Sequence, residues 1–248
     1  MGDVQASTAP RPSEPPVQRI RMRYAKRGRL RFTSHRDVAR AFERALRAAG
    51  VPMAYSQGFN PHPKVSWINA APTGAASEAE YVEIQVVRRL DPDRVRTELN
   101  AVLPDGIDVT DALESEPSAG GSLADRIDAS RWSIELPGVS RDTLVGAVDA
   151  LLAAPEVLVE KLTKDGRRTI DARAALVSAV VEDGPPHCGI LSVVVRQVSP
   201  AVRPDDVLSA LLVVAGVKPT VPAKATRTAQ GRLDDDGRII DPLQRGAG

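Results

Sequence analysis

From Arg19 to Tyr24, apolar and charged positions alternate strictly: Ile20, Met22 and Tyr24 on one side, Arg19, Arg21 and Arg23 on the other. A period of two predicts a half-buried strand with a cationic outer face. Lys26-Arg27-Gly28-Arg29 reads as a turn, and Leu30 to Phe32 as a short extended return. The period then changes. Val38, Phe42, Ala45, Leu46 and Ala49 fall on one helical stripe, and Arg36, Arg40, Arg44 and Arg47 on another. Ser34 is a good N-cap, Asp37 stands three residues on as in a capping box, and Gly50 suits the position after the helix.

Met53 to Tyr55 is expected as a short strand, followed by a long Pro- and Gly-rich connection from Ser56 to Gly74, extended over Val65 to Ile68. Tyr81 to Val87 alternates again. Asp91-Pro92 opens a helix to about Leu103, and Ile107 to Leu113 is a strand. The order β-α-β-β-α-β is the split βαβ arrangement of ferredoxin-like domains, which carries both helices on one sheet face and leaves the other open.

A second unit follows. Trp132, Ile134 and Leu136 alternate, and Ser140 caps a helix through Leu152. Val157 to Thr163 and Arg168 to Ala172 flank a Lys164-Asp165-Gly166-Arg167 hairpin signal. Leu176 to Val181 is extended or briefly helical, Gly189 to Gln197 is a strand, and Asp205 to Ala215 is a helix ending at Gly216. The expected fold is α+β, two ferredoxin-like halves in tandem with the second degenerate. The expected domains are a disordered leader over 1–17, a first domain over 18–114, a linker over 115–129, a second domain over 130–217 and a flexible polar tail over 218–248.

Composition narrows the function classes. Aromatics make up 3% of the 248 residues, so aliphatic side chains must supply the cores. The single cysteine, Cys188, excludes an intrachain disulfide and a cysteine-held cluster within this chain, and suggests a reducing compartment. No membrane-spanning run and no signal-peptide core are visible, so a cytoplasmic protein is expected. The net charge is +1, but from Arg19 to Arg47 eleven Arg or Lys stand against Asp37 and Glu43, a local excess of +9. Such an excess points to an anionic partner, although abundant arginine and alanine also follow from GC-rich coding.

The candidate RNA-binding set is Arg19, Arg21, Arg23, Lys26, Arg29, Arg31, Arg36, Arg40, Arg44 and Arg47, with Phe59, Asn60, His62 and Lys64 from the loop SQGFNPHPK. In that loop Pro61 and Pro63 clamp His62, Gly58 permits positive φ, and Phe59 offers a face for a base. The competing reading pairs Arg21 or Arg23 with Glu83 across the sheet and makes Phe59 a cap on the core. Glu78, Glu80 and Glu83 read most simply as a solvated edge. His35, His62 and Tyr24 are the candidates for acid–base chemistry, although a histidine at a helix start often only bonds locally. His187 and Cys188 lack metal-site spacing with any partner, so no metal or other cofactor is expected in this chain.

The runs KRGRLRFTSHRD, FERALRAAGVPMAYSQGFNPHPKVS and PTGAASEAEYVEI resemble the bacterial radical-SAM-linked protein family, an uncharacterised domain. The resemblance spans about Arg19 to Leu212, specific in the first half and loose in the second; Trp67-Ile68-Asn69 departs from its small apolar run. Members are encoded beside or fused to a radical SAM protein, often near a ribonuclease E/G gene. That implies an accessory protein presenting RNA or another substrate to a separate radical SAM enzyme, since this chain has no cysteine triplet. Two other readings stand beside it: a metal-independent endoribonuclease-like enzyme using His35 or His62, and a protein–protein adaptor.

Overall fold

The computed structural model describes residues 14–115, 122–163 and 166–244. It is a mixed α+β protein with a large, mostly antiparallel sheet and four helices among the described residues. The first part runs β1 (Gln18–Lys26), α1 (His35–Ala48), β2 (Val65–Ile68), β3 (Ala76–Val86), α2 (Pro92–Asn100) and β4 (Ile107–Ser115). Its strands lie in the order β4-β1-β3-β2, every pair antiparallel. The second part runs β5 (Ala129–Pro137), α3 (Arg141–Ala153), the hairpin β6 (Leu158–Thr163) and β7 (Gly166–Asp171), β8 (Leu176–Glu182), β9 (Cys188–Arg196), α4 (Pro204–Ala215) and β10 (Lys224–Leu233). Its order in the sheet is β10-β5-β9-β8. A short β11 (Ile239–Ile240) pairs with β10.

The alternation of β1 sends Ile20, Met22 and Tyr24 under α1, where Val38, Phe42 and Leu46 cover them together with Val82 and Ile84 of β3. Burying side chains of this size contributes about 1.5–3 kcal/mol each. Ser34 caps α1: its Oγ accepts from the Asp37 amide at 3.2 Å and donates to the Asp37 carboxylate at 2.7 Å. Gly50 follows the helix with φ +65°. Three of the eight aromatics meet here, Tyr24 lying edge-on to Phe42 at 4.8 Å and to Trp67 at 6.0 Å. Apart from Trp132, the second core is aliphatic, with Ile134, Leu136, Leu144, Leu151, Leu191 and Leu211 fully enclosed.

Five expectations need correction. Residues 218–244 are not a flexible tail: β10 lies at the centre of the sheet, antiparallel to β5 and parallel to β3 where Thr226 and Arg227 meet Ala76 and Ser77. Its polar sequence reflects burial beside polar partners, Arg227 and Gln230 both being enclosed. The second face of the first sheet is not open, because Leu123, Ile127 and Leu243 close over Ile68, Ala79 and Tyr81. Residues 122–128 of the expected linker therefore pack, with a short 3-10 helix over Leu123–Arg126 capped by Ser122. Leu30 to Phe32 is not extended but belongs to a 3-10 turn over Gly28–Phe32, and Met53 and Tyr55 form only isolated bridges, to Val86 and Pro63. Residues 1–13 of the leader, 116–121 of the linker and Lys164-Asp165 of the hairpin turn lie outside the described residues.

Candidate functional site

The strand arginines do not form an exposed cationic face. β1 is an interior strand; its neighbours place carboxylates opposite Arg21 and Arg23 and within reach of Arg19. Arg21 is buried, with Nε 2.9 Å from Glu83 of β3, which also lies 3.9 Å from Arg19. Arg23 meets Asp111 of β4 at 2.7 Å and Asp241 of the C-terminal segment at 3.0 Å. The same Asp241 accepts from the Tyr81 hydroxyl at 2.8 Å. In the turn, Arg27 pairs with Glu78 and with Asp108. Glu80 and Glu83 are thus buried ion-pair partners, not a solvated edge.

What stays in solvent is α1. Arg36, Arg40, Arg44 and Arg47 are exposed along one face, interrupted only by a 3.8 Å contact from Arg40 to Asp37 and a 3.3 Å bond from Arg47 Nε to the Glu43 carbonyl. The loop from Ser56 closes on itself: the Ser56 amide donates to the His62 carbonyl at 2.8 Å, and Ser56 Oγ accepts from the His62 amide at 3.0 Å. Gly58 sits at the tip with φ +132°. Phe59 is 91% exposed, so it does not cap the core, and Asn60 and His62 are exposed beside it. Tyr55, Pro61 and Pro63 border a cleft of about 220 Å³ against Glu43 and Arg47 of α1, which brings loop and basic helix together. Lys64 is partly exposed. Arg29 and Arg31 lie in the 3-10 turn with Phe32, which is exposed under the Arg31 guanidinium at 4.6 Å.

His35 is exposed at the start of α1, its ring 5.2 Å from Trp67. Tyr24 is buried, and burial together with the Glu80 carboxylate holds its phenol well above the ordinary range, against the opposing pull of Arg227. It therefore cannot share a solvent-reached reaction with His35 and His62. Cys188 is half-buried. Among the described residues no group of three His, Cys, Asp or Glu side chains converges as a metal site would need.

A second site escaped the sequence reading. The β1–β3 register shifts between Tyr24 and Lys26, so that Tyr24 opposes Glu80 while Lys26 opposes Ser77. This bulge turns Ser77 and Glu80 toward the same face, as bulges beside functional sites commonly do. The β10–β5 register shifts beside Arg227 as well. Arg227, 4% exposed, meets Glu80, 2% exposed, and donates to the Asn69 carbonyl at 2.7 Å. Its guanidinium lies 5.4 Å over the Trp132 ring. The second Glu80 oxygen accepts from the Ala71 amide at 2.9 Å. Lys26 is buried beside them, its ammonium 3.4 Å from the Pro72 carbonyl; burial, with Arg227 nearby, lowers its pKa, while Glu80 acts the other way.

Next to this cluster lies a cleft of about 210 Å³ lined by residues of both parts of the chain. Asn69, Ala70 and Pro72 form one wall, and Trp132, Arg196, Gln197, Val202 and Arg203 another, with Arg227 also lining it. Asn69 holds a left-handed backbone, φ +44°, which asparagine tolerates better than most residues. Its amide donates to Gln197 at 2.9 Å across the cleft. The only forward signal was Arg227 itself, which the polar tail disguised.

The class defined by this fold and site is an α+β protein with a helix-covered sheet, an exposed basic helix and a cationic cleft between its parts. The chain belongs to the bacterial family DUF2344, described as an uncharacterized protein conserved in bacteria, whose model matches residues 19–204. No curated protein matches it. Among solved structures, the encapsulated DyP-type peroxidase from Mycobacterium smegmatis aligns over 90% of this chain and 94% of that one. At 10% identity and a TM-score of 0.23, that likeness supports no argument. No helix among the described residues is long and apolar enough to cross a membrane.

Proposed function

We propose that the protein is an accessory RNA-binding protein acting with a separate radical SAM enzyme in RNA modification or processing. The observation that carries the RNA reading is the exposed row Arg36, Arg40, Arg44 and Arg47, met near Arg47 through Pro61 and Pro63 by the loop that also carries the exposed Phe59. Cations that track a phosphate backbone next to an aromatic face are what single-stranded nucleic acid needs. The proposed interface is narrower than the charge count suggested: α1, the loop through Lys64 and the turn arginines Arg29 and Arg31, without Arg19, Arg21, Arg23 or Lys26. The radical SAM partner rests on the resemblance of KRGRLRFTSHRD and its neighbouring runs. We also read both parts as ferredoxin-like, because the strand orders β4-β1-β3-β2 and β10-β5-β9-β8 follow the same connectivity once the β6–β7 hairpin is set aside. The test is fluorescence anisotropy with a labelled single-stranded RNA across a salt series. Affinity should fall steeply with salt, and R36A/R40A/R44A should flatten the log–log slope by about 2, at roughly 0.7 per lost phosphate contact. Binding that ignores salt and this triple change overturns the reading, and a nuclease-resistant protein complex lost in the same variant favours an adaptor.

A further inference from the structure

We propose that the cleft between the two parts of the sheet binds a phosphate monoester. This site is separate from α1 and does not depend on the nucleic-acid reading. Three arginines line the cleft, and no carboxylate stands among its lining residues. Their charges are not equivalent. Arg227 is matched by Glu80 and fixed by the Asn69 carbonyl and the Trp132 ring, so it is a rigid floor that holds its shape. Arg196 and Arg203 are exposed and have no ion pair among the described residues. The uncompensated charge of the walls is therefore that of two guanidinium groups. A phosphate monoester carries about −1.5 to −2 at neutral pH, which matches it, and offers three acceptor oxygens to planar guanidinium forks.

Neutral donors complete the set. Gln197 takes the Asn69 hydrogen bond through its Oε1, which leaves its own amide hydrogens for a ligand. Ser130 adds a hydroxyl. At about 210 Å³ the space is below the roughly 300–1,000 Å³ of sites that enclose a drug-sized molecule. It takes the phosphate and the atoms next to it and leaves the remainder outside. The ester can therefore be a free nucleotide or the 5′ end of an RNA, and the experiment separates the two.

Titration calorimetry on the full chain would use inorganic phosphate, adenosine 5′-monophosphate, malonate, and one short RNA with either a 5′-phosphate or a 5′-hydroxyl. Phosphate and the nucleotide should bind saturably, and R196Q and R203Q should each weaken them by about tenfold or more, since each removes a charged hydrogen-bond donor. Both side chains are exposed, so unchanged circular dichroism is expected, and R36Q/R40Q/R44Q should leave nucleotide binding intact. A 5′-phosphate RNA that binds tighter than both the nucleotide and its 5′-hydroxyl twin supports the RNA end as source; the reverse order supports a free nucleotide. No binding of phosphate or nucleotide up to about 10 mM, equal binding of malonate, or indifference to R196Q and R203Q would overturn the proposal. The α1 triple variant fails only the RNA reading, so the two can be told apart.

Discussion

Replacing Glu80 by alanine leaves Arg227 charged, buried and short of its carboxylate. Glu80 and Arg227 are 2% and 4% exposed, and the guanidinium would keep only the Asn69 carbonyl, the face of the Trp132 ring and a marginal 3.5 Å contact to Ser77 Oγ. Removing one partner of such a pair costs about 3–5 kcal/mol. The substitution also orphans the Ala71 amide, a penalty of about 1–3 kcal/mol when unmet. These losses share one cluster and do not add, so about 4 kcal/mol is expected. That is a large part of the 5–15 kcal/mol typical of a folded domain. Urea unfolding would show it as a lower midpoint at an unchanged slope. E80M/R227M removes both charges and should recover most of the loss, because apolar replacement of a buried pair is often neutral or better. Lys26 provides a pH signature. Its pKa is already lowered by burial, and losing Glu80 takes away the charge that opposes that shift. The cost of burying the ammonium is present below its folded pKa and disappears as pH rises toward the ordinary lysine value, so the E80A deficit should shrink on the alkaline side. An E80A loss under about 1 kcal/mol, or a double variant as weak as the single, would refute the argument.

Two further outcomes are expected. Burial and the nearby carboxylates Glu80 and Asp241 raise the phenol pKa values of Tyr24 and Tyr81, so these groups keep their protons in the folded state while the unfolded chain loses them near pH 10. Their contribution to stability is complete below that pH and falls above it; a 295 nm titration should show them ionising only with unfolding, and full ionisation near pH 10 with the fold intact would contradict this. A chain stopped after Val217 loses β10 from the sheet centre and should fail to give a cooperative thermal transition, whereas one stopped after Leu233 keeps β10, loses β11 and the cover formed by Leu243 and Asp241, and should still unfold cooperatively at a lower temperature.

What could be read from the chain was local. The capped helix α1, the alternation of β1 and β5, the β6–β7 hairpin and the Gly216 stop each depend on residues within a turn or two. Element limits moved where pairing extended them, as in β3, which begins at Ala76 rather than Tyr81. What could not be read was distant. Arg227 finds Glu80 across 147 positions and Arg23 finds Asp241 across 218, and neither spacing leaves a period or motif. The candidate loop was legible because proline and glycine announce it. The cleft was not, since Asn69, Trp132, Arg196 and Arg227 come from four segments that meet only when β10 closes the sheet.

A charge count along a segment is therefore a poor measure of free charge. The excess of +9 between Arg19 and Arg47 and the acidic remainder are two parts of one folded arrangement. Strand pairing brings Glu83 and Asp111 opposite β1, and Glu78 and Asp108 to the turn. A sheet enforces this matching because residues facing one another lie about 4.5–5.5 Å apart, close enough that like charges are costly and opposite ones favourable. An isolated helix face has no such partner strand. That difference explains why the arginines of β1 are neutralised while those of α1 remain in water, so the free positive charge of this segment lies on the helix rather than on the strand.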